Sequence, residues 1–584
     1  MEVKLKSEYN SSTNPLHFVL RNRGISEEDF DKIVNPTKEL MPDWTKLDNI
    51  YEGVKLLKKH VGKGSNIYVN IDSDFDGLAS SSIIYQYIVQ GLNHDKVNLV
   101  IHEKKKAHGL IMLELEHINK GDLLITPDAA SSDFEQHKEL HNRGIDVLVI
   151  DHHLAPRQDT PAVIINNQLS DNFPNKQLTG SAMTYLFCRA YSEVYNIELP
   201  TSLLDMSAVG MVADRANFAN DLGAYHLMRK GLEKYSLQNP MLKMFATKDK
   251  SLADRDWTAK DVGFSIAPNI NAVFRVGTDE ELEQVVHAMC NFDYTVFNKR
   301  KKQEVHITEE GVLRAKSVRN RQKKTEEKVL EQIHERIREK GSNDYKVLLV
   351  NSTGIIEDAG INGLVAIKLA NQYKKPTLVM KVTEDKLRGS GRNFNNSPVE
   401  SFNDLLSEFG VQCEGHDNAF GVTMDLDIAM DIQEKLEDRL KDVDLNNSKY
   451  EVDFEWYGHV DSDVIVELGN HSNLWCNGID EPLIHIKEYI VNKSDIRFMG
   501  KTGRSIKIEV DGVDAVKFNM SEMEIHELTS IDSDTISLNL VCTATINTFN
   551  GMDKPQMIIQ DFTVKKAEEV ELDVHKADLK SLPF

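Results

Sequence analysis

The chain has 584 residues, 69 Lys and Arg against 92 Asp and Glu, a formal charge of −23, and 40% apolar residues. At roughly 100–200 residues per domain, that length asks for about three or four domains, while the ordinary apolar and charged fractions exclude wholesale disorder and a fibrous repeat. No run approaches the roughly 18–20 apolar residues of a membrane span, and Cys188, Cys290, Cys413, Cys476 and Cys542 lie too far apart for a disulfide framework or a thiolate zinc site.

The start, MEVKLKSEYNSSTNP, lacks the apolar core of a secretory signal, so a cytoplasmic, reducing compartment is expected, with no membrane partner. The acidic balance disfavours a protein that coats nucleic acid. A groove is governed by its local field, however, so an enzyme acting on nucleic acid stays open.

From about residue 66, short β-branched runs (NIYVNID, KVNLVIHE, DLLITPD, DVLVIDHH, AVIINN) alternate with helical stretches such as LASSSIIYQYIVQGL and SSDFEQHKELHNRG. That alternation predicts a parallel α/β sheet whose ligands sit at the carboxyl ends of its strands. Residues 178–293 read as mostly helical. Asn298 to Lys340 is charged, with sparse apolar residues, and predicts a long solvated helix joining two domains. A second α/β pattern runs from YKVLLVNS to about residue 440. After Tyr450 the runs DVIVEL, SIKIEV, ISLNLVCTATI and QMIIQDFTV read as strands of a small β-barrel or sandwich.

The sharpest local feature is Asp72-Ser73-Asp74-Phe75-Asp76-Gly77. Alternate carboxylates leaving a strand can converge on one hard cation. A calcium EF-hand shares this pattern, but it needs an entering helix and an acidic residue at the twelfth position, which here is Ile83. Asp128 closes LLITPD, Asp151-His152-His153 closes VLVIDHH, and Asp214 lies in AVGMVADRANF. A lone strand-end Asp is usually a helix cap, and a lone His pair a surface or core pair. Three acid-bearing strand ends in one parallel sheet share an edge, however. Carboxylates with imidazole suit Mn²⁺ or Mg²⁺, with imidazole favouring Mn²⁺. Two such ions about 4 Å apart would activate water for in-line attack at phosphorus.

This order of motifs resembles the DHH phosphoesterase superfamily, and the surrounding segments resemble its RecJ-type single-strand exonucleases. LTGSAMTYLF is similar to the helix after the DHH strand, DVGFSIAPNINAVFRVG to the P-R-x-N-A-x-G-R segment, and FNKRKKQE to the start of the connecting helix. AGINGLVAIKLANQYKKPTLVM, RGSGRNFN and CEGHDNAFGVTM resemble the DHHA1 substrate-binding module. RFMGKTGRSIKIEVDGVDAVKF and GMDKPQMIIQDF resemble the family's OB-fold. The implied architecture is α/β: a segment 1–60, a parallel-sheet DHH domain over 61–293, a connecting helix over 294–340, a DHHA1-like α/β domain over 341–445, an all-β OB-fold-like domain over 446–568 and an acidic tail over 569–584.

The resemblance implies Asp74, Asp76, Asp128, His152 and Asp214 as metal ligands, Asp128 and Asp76 being candidates to bridge two ions, and Asp72 as a ligand or a support. Asp151 would orient the histidines, and His153 would meet the scissile phosphate or the leaving oxygen, so that His153, Asp151 and Asp128 form the catalytic set. Arg388-Gly389-Ser390-Gly391-Arg392 reads as a phosphate cradle, with glycines for close backbone approach and arginine forks for phosphate oxygens. Gly415 and His416 would complete it, and Arg275 is a further phosphate contact. Lys299–Lys302, Arg319, Arg321, Lys323 and Lys324 either line the strand's path or form a solvated face. Trp456, Tyr457, Trp475, Phe498, Lys501 and Arg504 are the mix an OB-fold uses for single strands, or else core.

Departures from the family are Asp358-Ala359-Gly360 in place of His-Pro-Gly, Phe274 in place of Gly, and Pro268-Asn269-Ile270-Asn271 without its Arg. The expected function is metal-dependent 5′→3′ hydrolysis of single-stranded DNA to mononucleotides. The expected enzyme is a monomer, with single-strand-binding protein or a helicase as partners. The competing readings are a DHH enzyme for oligoribonucleotides or cyclic dinucleotides, and a non-catalytic replication scaffold.

Overall fold

The computed structural model describes residues 1–567 except 103–107, 358, 384, 446, 501, 550 and 551. The expected acidic tail, Asp358 and Lys501 therefore lie outside the described residues. The chain divides into two compact units: a first unit of residues 25–322 with 473–480, and a second of 1–24 with 323–472 and 481–584.

The first unit is built on five parallel strands, β1 (Ile67–Ile71), β2 (Val97–Ile101), β3 (Leu123–Pro127), β4 (Asp146–Asp151) and β5 (Val163–Asn166), in the order β2-β1-β3-β4-β5. All five expected strands are present. The central strands β1 and β3 are buried at every position, as covering on both faces demands. Helix α1 (Phe75–Gln86) is buried almost all round, which explains a sequence with no polar face. Its serines are satisfied internally: Ser80 Oγ donates to Asp76 O and Ser81 Oγ to Asn70 O. Helices α2 (Gly180–Tyr195), α3 (Leu204–Ala213) and α4 (Ala267–Val276) follow, in the stretch expected to be helical.

The connecting helix starts later than the sequence suggested. Residues 294–306 form a hairpin, β6 (Thr295–Asn298) with β7 (Gln303–His306), and helix α5 runs from Ile307 to Lys340. The Lys299–Lys302 run is the hairpin's turn. Asn298 Oδ1 accepts the Lys301 N–H at 2.8 Å and Lys302 takes a φ of 55°, local bonds that compete with helix.

In the second unit, β8 (Leu348–Asn351), helix α6 (Asn362–Tyr373), β9 (Thr377–Thr383), β10 (Lys386–Arg392), β11 (Gln412–His416) and β12 (Ala419–Asp425) form a sheet in the order β11-β12-β10-β9-β8. Only the β8–β9 pair is parallel. The β-rich part has β13 (Phe454–Tyr457), helix α7 (Ser462–Asn470), β14 (Ile484–Asn492), β15 (Arg497–Met499), β16 (Ser505–Val510), β17 (Val513–Lys517), β18 (Thr535–Phe549) and β19 (Met552–Lys566), in the order β13-β14-β18-β19-β17-β16-β15.

Here DVIVEL, read as a strand, is helix α7. Asp461 caps it by accepting the N–H groups of Asp463 and Val464, and Val464, Ile465 and Leu468 fall on one buried face. Nor is 1–60 a separate segment. Glu2–Leu5 pairs in parallel with Lys449–Val452, and Arg23 makes a buried ion pair with Asp453 at 2.7 Å, tying the chain start to the second unit.

Candidate metal centre

The site grows from the carboxyl edge of the first unit's sheet. Asp72 follows β1 and is buried. Asp74 caps α1, its Oδ1 accepting the Gly77 N–H at 2.9 Å. That fixes Asp76 in the first helical turn, where its Oδ1 accepts from Thr179 Oγ1 at 3.0 Å and from the Ser181 N–H at 3.3 Å. Asp128 follows β3 with a φ of 65°, and its N–H donates to Ile150 O at 2.8 Å. A non-glycine residue held there stores about 1–3 kcal/mol of strain, as functional positions often do. Asp151 ends β4. Its Oδ1 accepts the His152 N–H (2.7 Å), the His153 N–H (3.2 Å) and His153 Nδ1 (2.8 Å), and its Oδ2 accepts the Ser131 N–H (3.1 Å). Asp214 closes the C-terminus of α3.

These side chains form three overlapping clusters, in each of which the candidate ligand atoms lie within 4.8 Å of one another: Asp72, Asp74 and Asp128; Asp76, His152 and Asp214; and Asp128, Asp151, His152 and His153. Glycines make the convergence possible. A Cβ on Gly180 would stand 2.3 Å from Asp128 Oδ1, and one on Gly210 would stand 2.3 Å from Asp76 Oδ1.

The electrostatics of the cluster call for a cation. Burial, then repulsion from Asp76, raises the Asp74 carboxyl to about 6. Asp128 is pushed well above the ordinary carboxylate range by burial and by Asp76, Asp74, Asp72 and Asp151. Asp214, more exposed at the rim, moves the same way through burial and its acidic neighbours. His152 Nε2 lies 3.1 Å from Asp128 Oδ1, but the angles make no hydrogen bond, so that buried oxygen has no hydrogen-bond partner among the described residues. An unpaired buried carboxylate is costly, and a divalent cation supplies the missing charge. Burial holds His152 below its usual pKa, in the neutral form that ligates metal. His153 is the opposite case: its hydrogen bond to Asp151 raises it to about 9 and keeps it charged. Asp151 is held low, because that bond and the neighbouring histidines outweigh its burial.

Sequence reasoning missed His108. Its Nδ1 lies 2.8 Å from Asp72 Oδ2 and 3.1 Å from Oδ1, and this contact raises the imidazole's pKa. A histidine beyond an edge strand, after a run of lysines, carries no signal that it folds back onto an acidic turn.

In the second unit, Arg388–Arg392 is not a glycine loop. It lies in β10, paired on both sides with β9 and β12, so its backbone amides belong to the ladder rather than to an anion nest. The glycines serve packing: a Cβ on Gly391 would stand 2.3 Å from the Phe420 ring. Pairing brings Arg392, Ala419 and His416 into one cross-strand row, with Gly391, Phe420 and Gly415 in the next. Arg388 and His416 are exposed. Arg392 Nη1 donates to Gly391 O and Phe420 O.

Arg275 is half-buried in the last turn of α4, and Phe274 is buried beside it. Of the basic run, Lys301 pairs with Glu309 and Arg321 with Glu281. Tyr457 and Phe498 are exposed on the second unit's β-sheet, and Arg504 pairs with Glu522. Trp475 is buried and belongs to the first unit, so of the two readings open to it the structure selects core.

Residues 66–211 match the DHH family, N-terminal domain, and residues 459–561 the RecJ OB domain. The prophage-derived single-strand DNA-specific exonuclease YorK of Bacillus subtilis is 32% identical over 98% of this chain and 100% of its own length. The chain belongs to the RecJ-type exonucleases of the DHH family. Family likeness extends to the single-stranded-DNA-specific exonuclease RecJ of Bacillus subtilis, 24% identical over 97% of this chain and 70% of that protein. The Mn²⁺ complex of RecJ from Thermus thermophilus shares the fold, with a TM-score of 0.68 and 20% identity over 94% of this chain and 75% of that one. No helix among the described residues is long and apolar enough to cross a membrane.

Proposed function

We propose that this RecJ-type chain is a metal-dependent exonuclease that degrades single-stranded DNA from its 5′ end to mononucleotides. The observation that carries the reading is the acidic edge itself, in which buried carboxylates crowd one another and Asp128 Oδ1 has no hydrogen-bond partner among the described residues, in a chain that aligns over 98% of its length with YorK. Asp74, Asp76, Asp128, His152 and Asp214 would hold the ions, with Asp72 beside them, and Asp128 belongs to two of the clusters. Two ions bound there, Mn²⁺ first and Mg²⁺ as substitute, would supply an activated water and neutralise charge on the phosphate.

The other steps belong to the protein. Asp151 fixes the ring of His153 and keeps a proton on it, so the imidazolium faces the scissile phosphate and can release a proton to the leaving oxygen. Arg388, Arg392 and His416, with Gly415 in the adjoining row, anchor the strand's phosphates, and Gly389, Ser390 and Gly391 keep that strand flat enough to present them. Arg275 adds a phosphate contact. The enzyme works as a cytoplasmic monomer on strands freed by a helicase or coated by a single-strand-binding protein.

The test is digestion of a long single strand labelled separately at each end, with Mn²⁺, with chelator, and with Asp128→Asn. Immediate release of the 5′ label as mononucleotide, lost with chelator and in the variant, is expected. Early release of the 3′ label would reverse the polarity, and intact strands with Mn²⁺ present would refute the reading.

A further inference from the structure

The turn behind Asp214 is held by a residue 262 positions further along the chain. After α3 the backbone passes through Arg215 at a φ of 61°. The helix end closes on itself, with the Arg215 N–H donating to Val212 O and the Ala216 N–H to Met211 O. This leaves the Arg215 and Ala216 carbonyls without helical partners. Asn477 Nδ2 donates to both, at 2.7 and 3.1 Å, and Asn477 O accepts the Phe218 N–H at 3.0 Å. One residue thus satisfies three backbone groups around the turn.

The segment that presents Asn477 is itself rigid. Cys476 and Ile479 exchange backbone hydrogen bonds at 3.0 Å, and Leu474, Trp475 and Ile479 are buried. Gly478 sits at a φ of 90°, where a Cβ would fall 2.2 Å from Asn217 Oδ1 and 3.0 Å from Ala219 N. Only a bare backbone fits against the turn.

Asp214 differs from Asp74, Asp76 and Asp151 in what orients it, and it is more exposed than Asp128. Asp74, Asp76 and Asp151 each accept hydrogen bonds that aim their carboxylates. Among the described residues no hydrogen-bond donor reaches the Asp214 carboxylate, and His152 Nε2 stands 3.7 Å away. With no donor to hold the carboxylate, its reach into the cluster depends on where the main chain starts the side chain, and that main chain leads into the turn held by Asn477. We infer that residues 473–480 are a strap that positions Asp214, with Asn477 as the positioning residue acting through the main chain of Arg215–Phe218. In sequence the strap lies between α7 and β14, inside the stretch that matches the RecJ OB domain. The inference rests on the metal reading of the site.

The experiment compares full-length wild type with Asn477→Ala and Gly478→Ala. Mn²⁺ binding is measured by calorimetry without DNA, and amide hydrogen exchange is followed across residues 211–220. Both variants should bind Mn²⁺ about tenfold more weakly, the usual order of loss when the support of a metal ligand is removed. Exchange should accelerate at 214–218 and stay unchanged over β1, β3 and β4, and kcat should return toward the wild-type value at saturating Mn²⁺. Wild-type Mn²⁺ affinity in either folded variant overturns the inference, as does faster exchange spread through the whole first unit. If Asn477→Ala does not fold, Gly478→Ala decides alone. A wild-type protein that takes up no Mn²⁺ would instead sink the metal reading beneath it, an outcome visible before any variant is made.

Discussion

The acidic edge of the first unit and the arginine-bearing strand of the second both gather charge on a sheet, by opposite physical routes. At the acidic edge the carboxylates stand beyond the ends of buried strands, crowd one another and leave Asp128 Oδ1 unpaired. On β10 the arginines lie within the ladder: Arg388 is exposed to water, and Arg392 spends donors on two backbone carbonyls. The first arrangement calls for a cation, whereas in the second the charges are already met by water and by backbone carbonyls. Crowded buried carboxylates are thus left unsatisfied by the protein, whereas arginines set within a ladder and open to water are not.

The largest effect should come from removing one of those unsatisfied charges. Asp128→Asn keeps the shape and deletes the charge, so hydrolysis should fall by at least about 10³-fold, several kcal/mol of lost metal catalysis. The thermal midpoint of the metal-free protein should rise, because a buried unpaired charge has gone. A variant that is both less active and less stable would contradict this account of the acidic edge.

Next come the two glycines. Gly180→Ala should weaken Mn²⁺ binding by about 10–100-fold through Asp128. Gly391→Ala should cost the second unit about 1–3 kcal/mol through Phe420 and leave Mn²⁺ binding unchanged. Calorimetry and denaturant unfolding of both variants would break the comparison if the effects were exchanged.

A smaller contrast concerns acid. Burial pushes His137 and His226, both in the first unit, down to about 4. The unfolded chain therefore binds more protons than the folded one below the ordinary histidine value. Stability is intact above about pH 6.5 and is lost as pH falls toward 4, by about 1–3 kcal/mol. Hydrogen exchange in the first unit at pH 7 and pH 5 should show this loss, and His137→Gln should flatten it. The smallest effect is that of Arg388→Ala: DNA binding weakened by about 1 kcal/mol, with the salt slope of log K reduced by about 1. An unchanged slope would mean that Arg388 meets no phosphate.

The acidic site was legible because its residues follow predictable strand ends and occur in combination, where any one alone would read as a helix cap. Asp72 to Asp76, Asp128 and Asp151 needed only the parallel-sheet rule to be placed on one edge. The Arg388–Arg392 run misled because glycine spacing suits a loop and a crowded strand equally, and only Phe420 across the ladder decides between them. DVIVEL misled because β-branched composition outweighed one capping residue, Asp461. The Lys299–Lys302 turn was hidden in a charged stretch that continues as true helix. His108 and Asn477 were beyond reach, since both act through tertiary contacts that leave no periodicity.

Neither unit is a continuous piece of chain: the second borrows residues 1–24 and the first borrows 473–480. On the ribosome, at about 5–20 residues per second, Asn477 emerges roughly 13–50 seconds after Asp214. The nascent chain thus holds Asp72, Asp74, Asp76, Asp128, Asp151 and Asp214 well before it holds the residues 473–480 that meet the turn after Asp214. Residues 2–5 and Arg23 wait for residues 449–452 and Asp453 before their strand pairing and buried ion pair can form. A chain cut short before residue 473 would carry all of these carboxylates, with the Arg215 and Ala216 carbonyls still lacking the Asn477 amide.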